Sequence, residues 1–128
     1  MKGALALLRA GGILVVFPAG AVSRRRPELG RVADPAWTGH VARLSTKTGS
    51  PVLPVRFFGK NPPWFEILGV IHPLLRSAWI LRVFLAAHGH RLRFRAGSMI
   101  EAGSLRELND TDEMTESIRM AVESIHEP

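Results

Sequence analysis

Two short apolar runs, Ile13–Phe17 and Val52–Phe58, dominate the hydrophobic pattern of the chain. The first run ends at Pro18 and the second at Gly59, so each stops abruptly at a turn-forming residue. The first run has no polar alternation, which is typical of a strand buried on both faces of a parallel sheet. We therefore interpret both runs as buried strands.

The segment between the two runs has helical periodicity. Trp37, Val41 and Leu44 recur at i, i+4 and i+7, which predicts an amphipathic helix over residues 36–47. A strand followed by a crossover helix and a second parallel strand is an α/β unit. The sequence therefore predicts an α/β fold with a mostly parallel sheet and crossover helices. Ligands of such sheets bind beyond the carboxyl ends of the strands.

Local signals predict the other elements. They are a helix over residues 2–10, a loop over 21–36, two short helices over 64–87 broken at Pro73, and a strand with a basic face over 90–96. The segment Asp110–Glu113 resembles a capping box, and the apolar spacing after it predicts a closing helix. We expect residues 1–128 to form a single domain whose residues 101–128 are an acidic helical tail.

Composition narrows the class of protein. A chain of 128 residues with 46% hydrophobic and 22% charged residues suits one folded domain. Because the chain has no cysteine, disulfides, thiolate metal sites and a cysteine nucleophile are excluded. No apolar stretch reaches the length of a membrane span, and no secretory signal is evident. These features favour a cytoplasmic protein.

Charge is unevenly distributed. Residues 1–100 hold 15 Lys and Arg against 3 acidic residues, a balance of +12, and residues 101–128 hold 2 against 8, a balance of −6. The basic part of the chain attracts phosphate groups, whether they belong to lipid headgroups, small molecules or nucleic acid. Charge alone does not choose among these partners.

The turn after the first run is the strongest candidate for a ligand site. A buried strand that ends in Phe17-Pro18-Ala19-Gly20 gives a rigid turn whose backbone a ligand can approach closely. The Ser23 hydroxyl and the basic residues from Arg24 onward can hold a phosphate or a carboxylate. An ordinary strand-ending turn beside a solvated arginine cluster is the alternative interpretation.

These residues resemble a conserved block of the glycerolipid and lysophospholipid acyltransferases. That block is usually Phe-Pro-Glu-Gly followed by a small residue, Arg and Ser. A haemolysin-like sub-branch, similar to the acyltransferases of ornithine-lipid assembly, has Ala in the third position with Val-Ser close behind. This chain has Ala19 in that position, followed by Val22 and Ser23. Gly49-Ser50-Pro51-Val52-Leu53-Pro54-Val55 looks like the family's next block, which lies near the acyl-chain site.

The resemblance implies a reaction and a set of binding residues. The family transfers a fatty acyl group from acyl-carrier protein or acyl-CoA to the hydroxyl of a lyso-lipid, without a bound cofactor, at the inner face of the membrane. The residues that the resemblance assigns to substrate binding are Phe17, Pro18, Ala19, Gly20, Val22, Ser23, Arg24, Pro51 and Pro54. Since Ala19 replaces the usual Glu, an acceptor other than a glycerol phosphate is expected.

The family's catalytic motif is missing. It is a histidine with an aspartate five residues further on, in which the histidine is the general base for the acceptor hydroxyl. None of the five histidines has an aspartate at that spacing, and neither His nor Asp occurs before Phe17. We therefore expect a partial, truncated acyltransferase domain without a catalytic residue, inactive by itself and prone to associate through uncovered apolar surface.

Three other interpretations stay open at this point. The basic residues with the aromatics of residues 64–84 could make a non-catalytic module that binds an anionic membrane surface. Nucleic-acid binding is disfavoured, because there is no tyrosine and most aromatics lie in apolar runs rather than in basic ones. His88 and His90 could bind a metal, but two ligands at i, i+2 without a carboxylate favour a turn into a strand.

Overall fold

The structure is a computed structural model that describes residues 2–20, 24–26, 30–58, 85, 89 and 93–127. The elements in this part of the chain are α1 Lys2–Arg9, β1 Arg24–Arg26, β2 Arg31–Ala33, α2 His40–Thr48, β3 Val55–Phe58, β4 Arg93–Ala96, α3 Ala102–Arg106 and α4 Thr111–Glu123. The chain divides into two compact units. One comprises residues 1–22, 34–56 and 94–128, and the other comprises residues 23–33 and 57–93.

The core of the larger unit is helical. Helix α2 packs against both α3 and α4, and Ala42, Leu105 and Ile118 are almost completely buried where the three helices meet. Ala42 has no exposed surface at all, and its small side chain lets α2 approach its neighbours closely. Partly buried apolar residues surround this cluster: Trp37, Val41, Val52, Ile100, Leu108 and Met114.

Arginine side chains connect segments that are far apart in the sequence. Arg56 donates from Nη1 to the backbone oxygens of Glu123 and Ile125, at 2.5 and 2.9 Å. Arg106 donates from Nε to the oxygen of Thr46, at 3.1 Å, in the last turn of α2. These cations satisfy carbonyl groups near helix C-termini, where the helix dipole also favours positive charge.

The predicted mostly parallel sheet is wrong. The described strands form two two-stranded sheets, β1 with β2 and β3 with β4, and β1 pairs antiparallel to β2 with Arg24 opposite Ala33. Val52 and Ile100 form a further antiparallel bridge. Pro54, between that bridge and β3, has no N–H to donate, which limits the regular ladder to the residues beyond it.

The first apolar run shows why the predicted parallel sheet is not formed. Residues 13–17 form no strand, and Ile13 and Val15 are 88% and 76% exposed. A continuous apolar run indicates a strand buried on both faces only where other elements cover both faces. The described chain does not cover Ile13 or Val15, so the parallel pairing with Val55–Phe58 that the apolar pattern predicted is not formed.

Two further expectations change. The loop predicted over residues 21–36 contains the β1–β2 hairpin, whose connection includes Gly30 at a φ of +61°. The strand predicted over residues 90–96 is found as β4, but all of its residues are exposed, so the alternation does not produce one buried face. Apart from Leu85, the two helices predicted over residues 64–87 lie outside the described residues.

The helices follow the sequence pattern more closely. Helix α1 covers the segment predicted over residues 2–10, and α2 begins four residues later than the helix predicted over 36–47. The closing helix is found as α4. Its N-cap is Asp110, whose Oδ1 accepts from the backbone N–H groups of Asp112 and Glu113 at 2.7 and 2.8 Å.

Asp110→Ala is expected to lower the free energy of unfolding by about 1 kcal/mol, because it leaves two N–H groups of the first turn without their acceptor. Asp112→Ala is the matched control, since it removes a carboxylate of the same charge from the same turn without removing the cap. Chemical denaturation of both variants measures the difference. If both variants lost the same free energy of unfolding, the effect would come from negative charge at the helix N-terminus and not from the cap.

Candidate functional site

The turn singled out by the sequence is present. The N–H of Gly20 donates to the oxygen of Phe17 at 3.1 Å, which closes a four-residue turn around Pro18 and Ala19. Gly20 has a φ of +64°, in the left-handed region that favours glycine. The Phe17 side chain is 70% exposed, whereas Pro18 and Ala19 are half-buried. The turn therefore presents an aromatic ring at the surface.

Thr38 anchors this turn to the beginning of α2. Its backbone N–H donates to the oxygen of Pro18 at 3.1 Å, and its hydroxyl donates to the same oxygen at 3.2 Å. Two donors from one residue use both lone pairs of the carbonyl oxygen. The position of the turn is therefore fixed relative to the first residues of α2.

His40 extends this arrangement by one bond. Its Nδ1 lies 3.0 Å from the Thr38 hydroxyl oxygen. The hydroxyl and Nδ1 are within hydrogen-bond distance, and the tautomer of the ring decides which of the two donates. Among the described residues no carboxylate bonds to the ring, and its contact with Thr38 links the first residue of α2 to the anchored turn.

A second contact orders the chain just before α2. The indole N–H of Trp37 donates to Oδ2 of Asp34 at 3.2 Å, in a partly buried position. Trp37 also packs against the helical core. The segment that carries Thr38 is therefore held from both sides, by the core and by the turn.

The second block begins where α2 ends. Gly49 caps α2 at a φ of +75°, and the Ser45 hydroxyl donates to the oxygen of Ser50 at 2.7 Å. Pro51 is exposed and Pro54 is buried. Since nine helical residues rise about 14 Å, Gly49, the first residue of the second block, lies roughly that far along the axis from the start of α2.

The remaining predicted residues are not placed with these. Val22 and Ser23 lie outside the described residues. Arg24 begins β1, in the smaller unit, where its backbone pairs with Ala33. The assignment of these three residues to substrate binding stays a prediction.

The described residues contain neither a cluster of metal ligands nor a membrane-spanning helix. In that part of the chain no three His, Cys, Asp or Glu side chains lie close enough together to hold a metal ion. His88 and His90 lie outside it. The longest described helix, α4, has 13 residues, and in the same part of the chain we find no helix with the length and hydrophobicity of a membrane span.

Sequence reasoning missed Thr38 and the contact between Asp34 and Trp37. A threonine, an aspartate or a tryptophan does not by itself indicate a contact of this kind. The hydrogen bond of Thr38 to Pro18 also joins residues that are 20 positions apart. The segment Asp34-Pro35 before Trp37 is a turn signal that could have suggested an ordered entry to α2. Comparison of the chain with family models, with curated proteins and with solved structures gives no match.

Proposed function

We propose that this chain belongs to a lyso-lipid acyltransferase, in which it binds and orients the acyl acceptor. The donor would be acyl-CoA or an acylated carrier protein. The observation that carries the proposal is the anchored turn Phe17–Gly20, whose Pro18 oxygen accepts two hydrogen bonds from Thr38. A turn fixed in this way keeps its shape when a ligand approaches, which lowers the entropic cost of binding.

The spacing of the two blocks suits an elongated amphiphile. The anchored turn lies at one end of α2, and Gly49, the first residue of the second block, lies at the other end, about 14 Å away along the helix axis. A lyso-lipid has a polar headgroup at one end and an acyl chain at the other. The exposed Phe17 ring offers apolar contact to a ligand at the turn.

Acyl transfer needs a general base, which these residues do not supply. In the proposed reaction the acceptor hydroxyl attacks the thioester carbonyl, loses its proton to a general base, and the thiol of the donor leaves. Since no histidine of the chain has an aspartate five residues further on, we assign no catalytic residue here. Positioning of the acceptor is the contribution we propose.

Binding of a lyso-lipid by the chain tests this function directly. We expect a monomeric lyso-lipid, kept below its micellar concentration, to shift the NMR signals of Gly20 and Thr38. Phe17→Ala should weaken the binding about tenfold, which corresponds to the loss of one aromatic contact worth about 1.4 kcal/mol. Phe94→Ala is the matched control, because Phe94 is a similarly exposed phenylalanine that lies outside both blocks. Equal affinities of the two variants would contradict the proposed acceptor site.

The exposed strand β4 favours a second candidate function, a non-catalytic module that binds anionic membranes peripherally from the cytoplasmic side. In this strand Phe94 is 65% exposed and lies between two arginines. This candidate predicts binding to vesicles that contain anionic lipid, weakened by salt, with no dependence on Phe17. Vesicle flotation with Phe94→Ala and Phe17→Ala distinguishes the two candidates.

A further inference from the structure

The segment Ile13–Val16, called the open segment below, has the exposure pattern of a β-strand. Ile13 and Val15 are 88% and 76% exposed, whereas Leu14 is partly buried and Val16 is 37% exposed. The side chain of Phe17, which continues the exposed row, is 70% exposed. Alternating exposure is what an extended chain produces, because successive side chains point to opposite sides.

The backbone of the open segment is available for pairing. Within the part of the chain that the structure describes, no hydrogen bond is made by the N–H or C=O groups of residues 13–16. An extended segment with a row of unpaired backbone groups is a template for a further strand. Proteins usually protect such an edge with charged side chains or a proline within it.

The open segment has neither form of protection. Between Arg9 and Arg24 the chain has no charged side chain, although its net charge is +6. Two copies of a chain with this net charge repel one another. At the open segment the two copies meet without like charges facing each other, which favours self-association through this segment.

We propose that the open segment pairs antiparallel with the same segment of a second copy, about a two-fold axis at Val15. In this register Val15 faces its own symmetry mate, and Ile13 faces Phe17 of the other copy. Leu14 and Val16 exchange about four backbone hydrogen bonds across the axis. The bond from Gly20 to the oxygen of Phe17 is kept, and an aromatic residue is placed opposite a β-branched one, a favourable cross-strand pair.

Sedimentation of the full chain over a concentration series, up to about 1 mM because one strand pair is a small interface, tests this proposal. We expect a reversible monomer–dimer equilibrium. Val15→Lys places two like charges opposite each other and should raise the dimer Kd about tenfold or more. Met120→Lys is the matched control, since it adds the same charge at an exposed apolar residue of α4.

Mixing two variants makes the test specific for the register. Val15→Lys and Val15→Glu should each be monomeric alone and should form a heterodimer when mixed. Slowed hydrogen exchange of the Leu14 and Val16 amides at high concentration is the second expected result. Because Val15 is exposed, either variant should keep the wild-type melting temperature.

Three results would overturn the proposal. They are a wild-type chain that stays monomeric at every concentration, a dimer that Val15→Lys weakens no more than Met120→Lys does, and a mixture of the two charged variants that does not associate. Loss of vesicle binding by Val15→Lys with an unchanged dimer would show that the open segment contacts lipid instead.

Discussion

Leu105→Ala should lower the free energy of unfolding by about 3 kcal/mol, which is the largest stability effect we expect in this chain. Leu105 is only 1% exposed and is the largest completely buried side chain among the described residues. It lies with Ala42 and Ile118 where three helices meet. Its truncation removes several buried methyl groups and leaves a cavity that short helices close only partly.

Urea denaturation followed by circular dichroism measures this effect. Leu53→Ala provides the matched control, because it is the same substitution at a residue that is 51% exposed. Leu53→Ala should cost less than about 1 kcal/mol. If the two variants lost the same stability, the helical packing around Leu105 would not be the core of the folded chain.

Gly39→Ala should cost about 2 kcal/mol for a steric reason. A Cβ atom at this position would overlap Cγ2 of Thr111, at the start of α4. The backbone conformation is not the cause, because Gly39 has a φ of −69°, which alanine adopts readily. Thr111 is β-branched and cannot turn away easily, so α2 and α4 must separate.

A double-mutant cycle identifies the clash. Thr111→Ser removes the methyl group, so the double variant with Gly39→Ala should be more stable than Gly39→Ala alone by about 1 kcal/mol. Gly103→Ala is the control for alanine itself, since nothing lies within 4 Å of its new Cβ and it lies in helix α3. That control should be neutral or slightly stabilising. Additive effects at Gly39 and Thr111 would contradict the predicted contact.

The helices could be predicted because their signals are local. The spacing of apolar residues in α2 and the acceptor at Asp110 act within a few residues, and they do not depend on which element lies next to the helix. The late start of α2 has a non-local cause. Thr38 bonds to Pro18, 20 residues away, and this bond holds the chain outside the helix up to Gly39.

The sheet could not be predicted because strand pairing is non-local. The apolar run at Ile13–Phe17 is compatible with a doubly covered strand, but covering it requires partners that the run itself does not specify. The β1–β2 hairpin was missed for the opposite reason. Three successive arginines at Arg24–Arg26 are not a strand signal, and their pairing is visible only in the structure.

At the candidate site, the turn could be predicted from the sequence, but the hydrogen bonds that anchor it could not. Pro18 and Gly20 carry fixed conformational preferences, so a turn between them follows from the sequence. The exposed position of Phe17 and its anchoring through Thr38 depend on packing around α2. Binding of a lyso-lipid stays a prediction that these features support.

The long-range arginine contacts have a consequence for synthesis on the ribosome. Arg56 bonds to backbone groups 67 and 69 residues later in the chain, and Ala42 is buried by residues from α3 and α4. While the nascent chain ends before residue 118, the apolar side of α2 therefore lacks most of its cover. We expect this interval to be the one in which the emerging chain depends most on a chaperone.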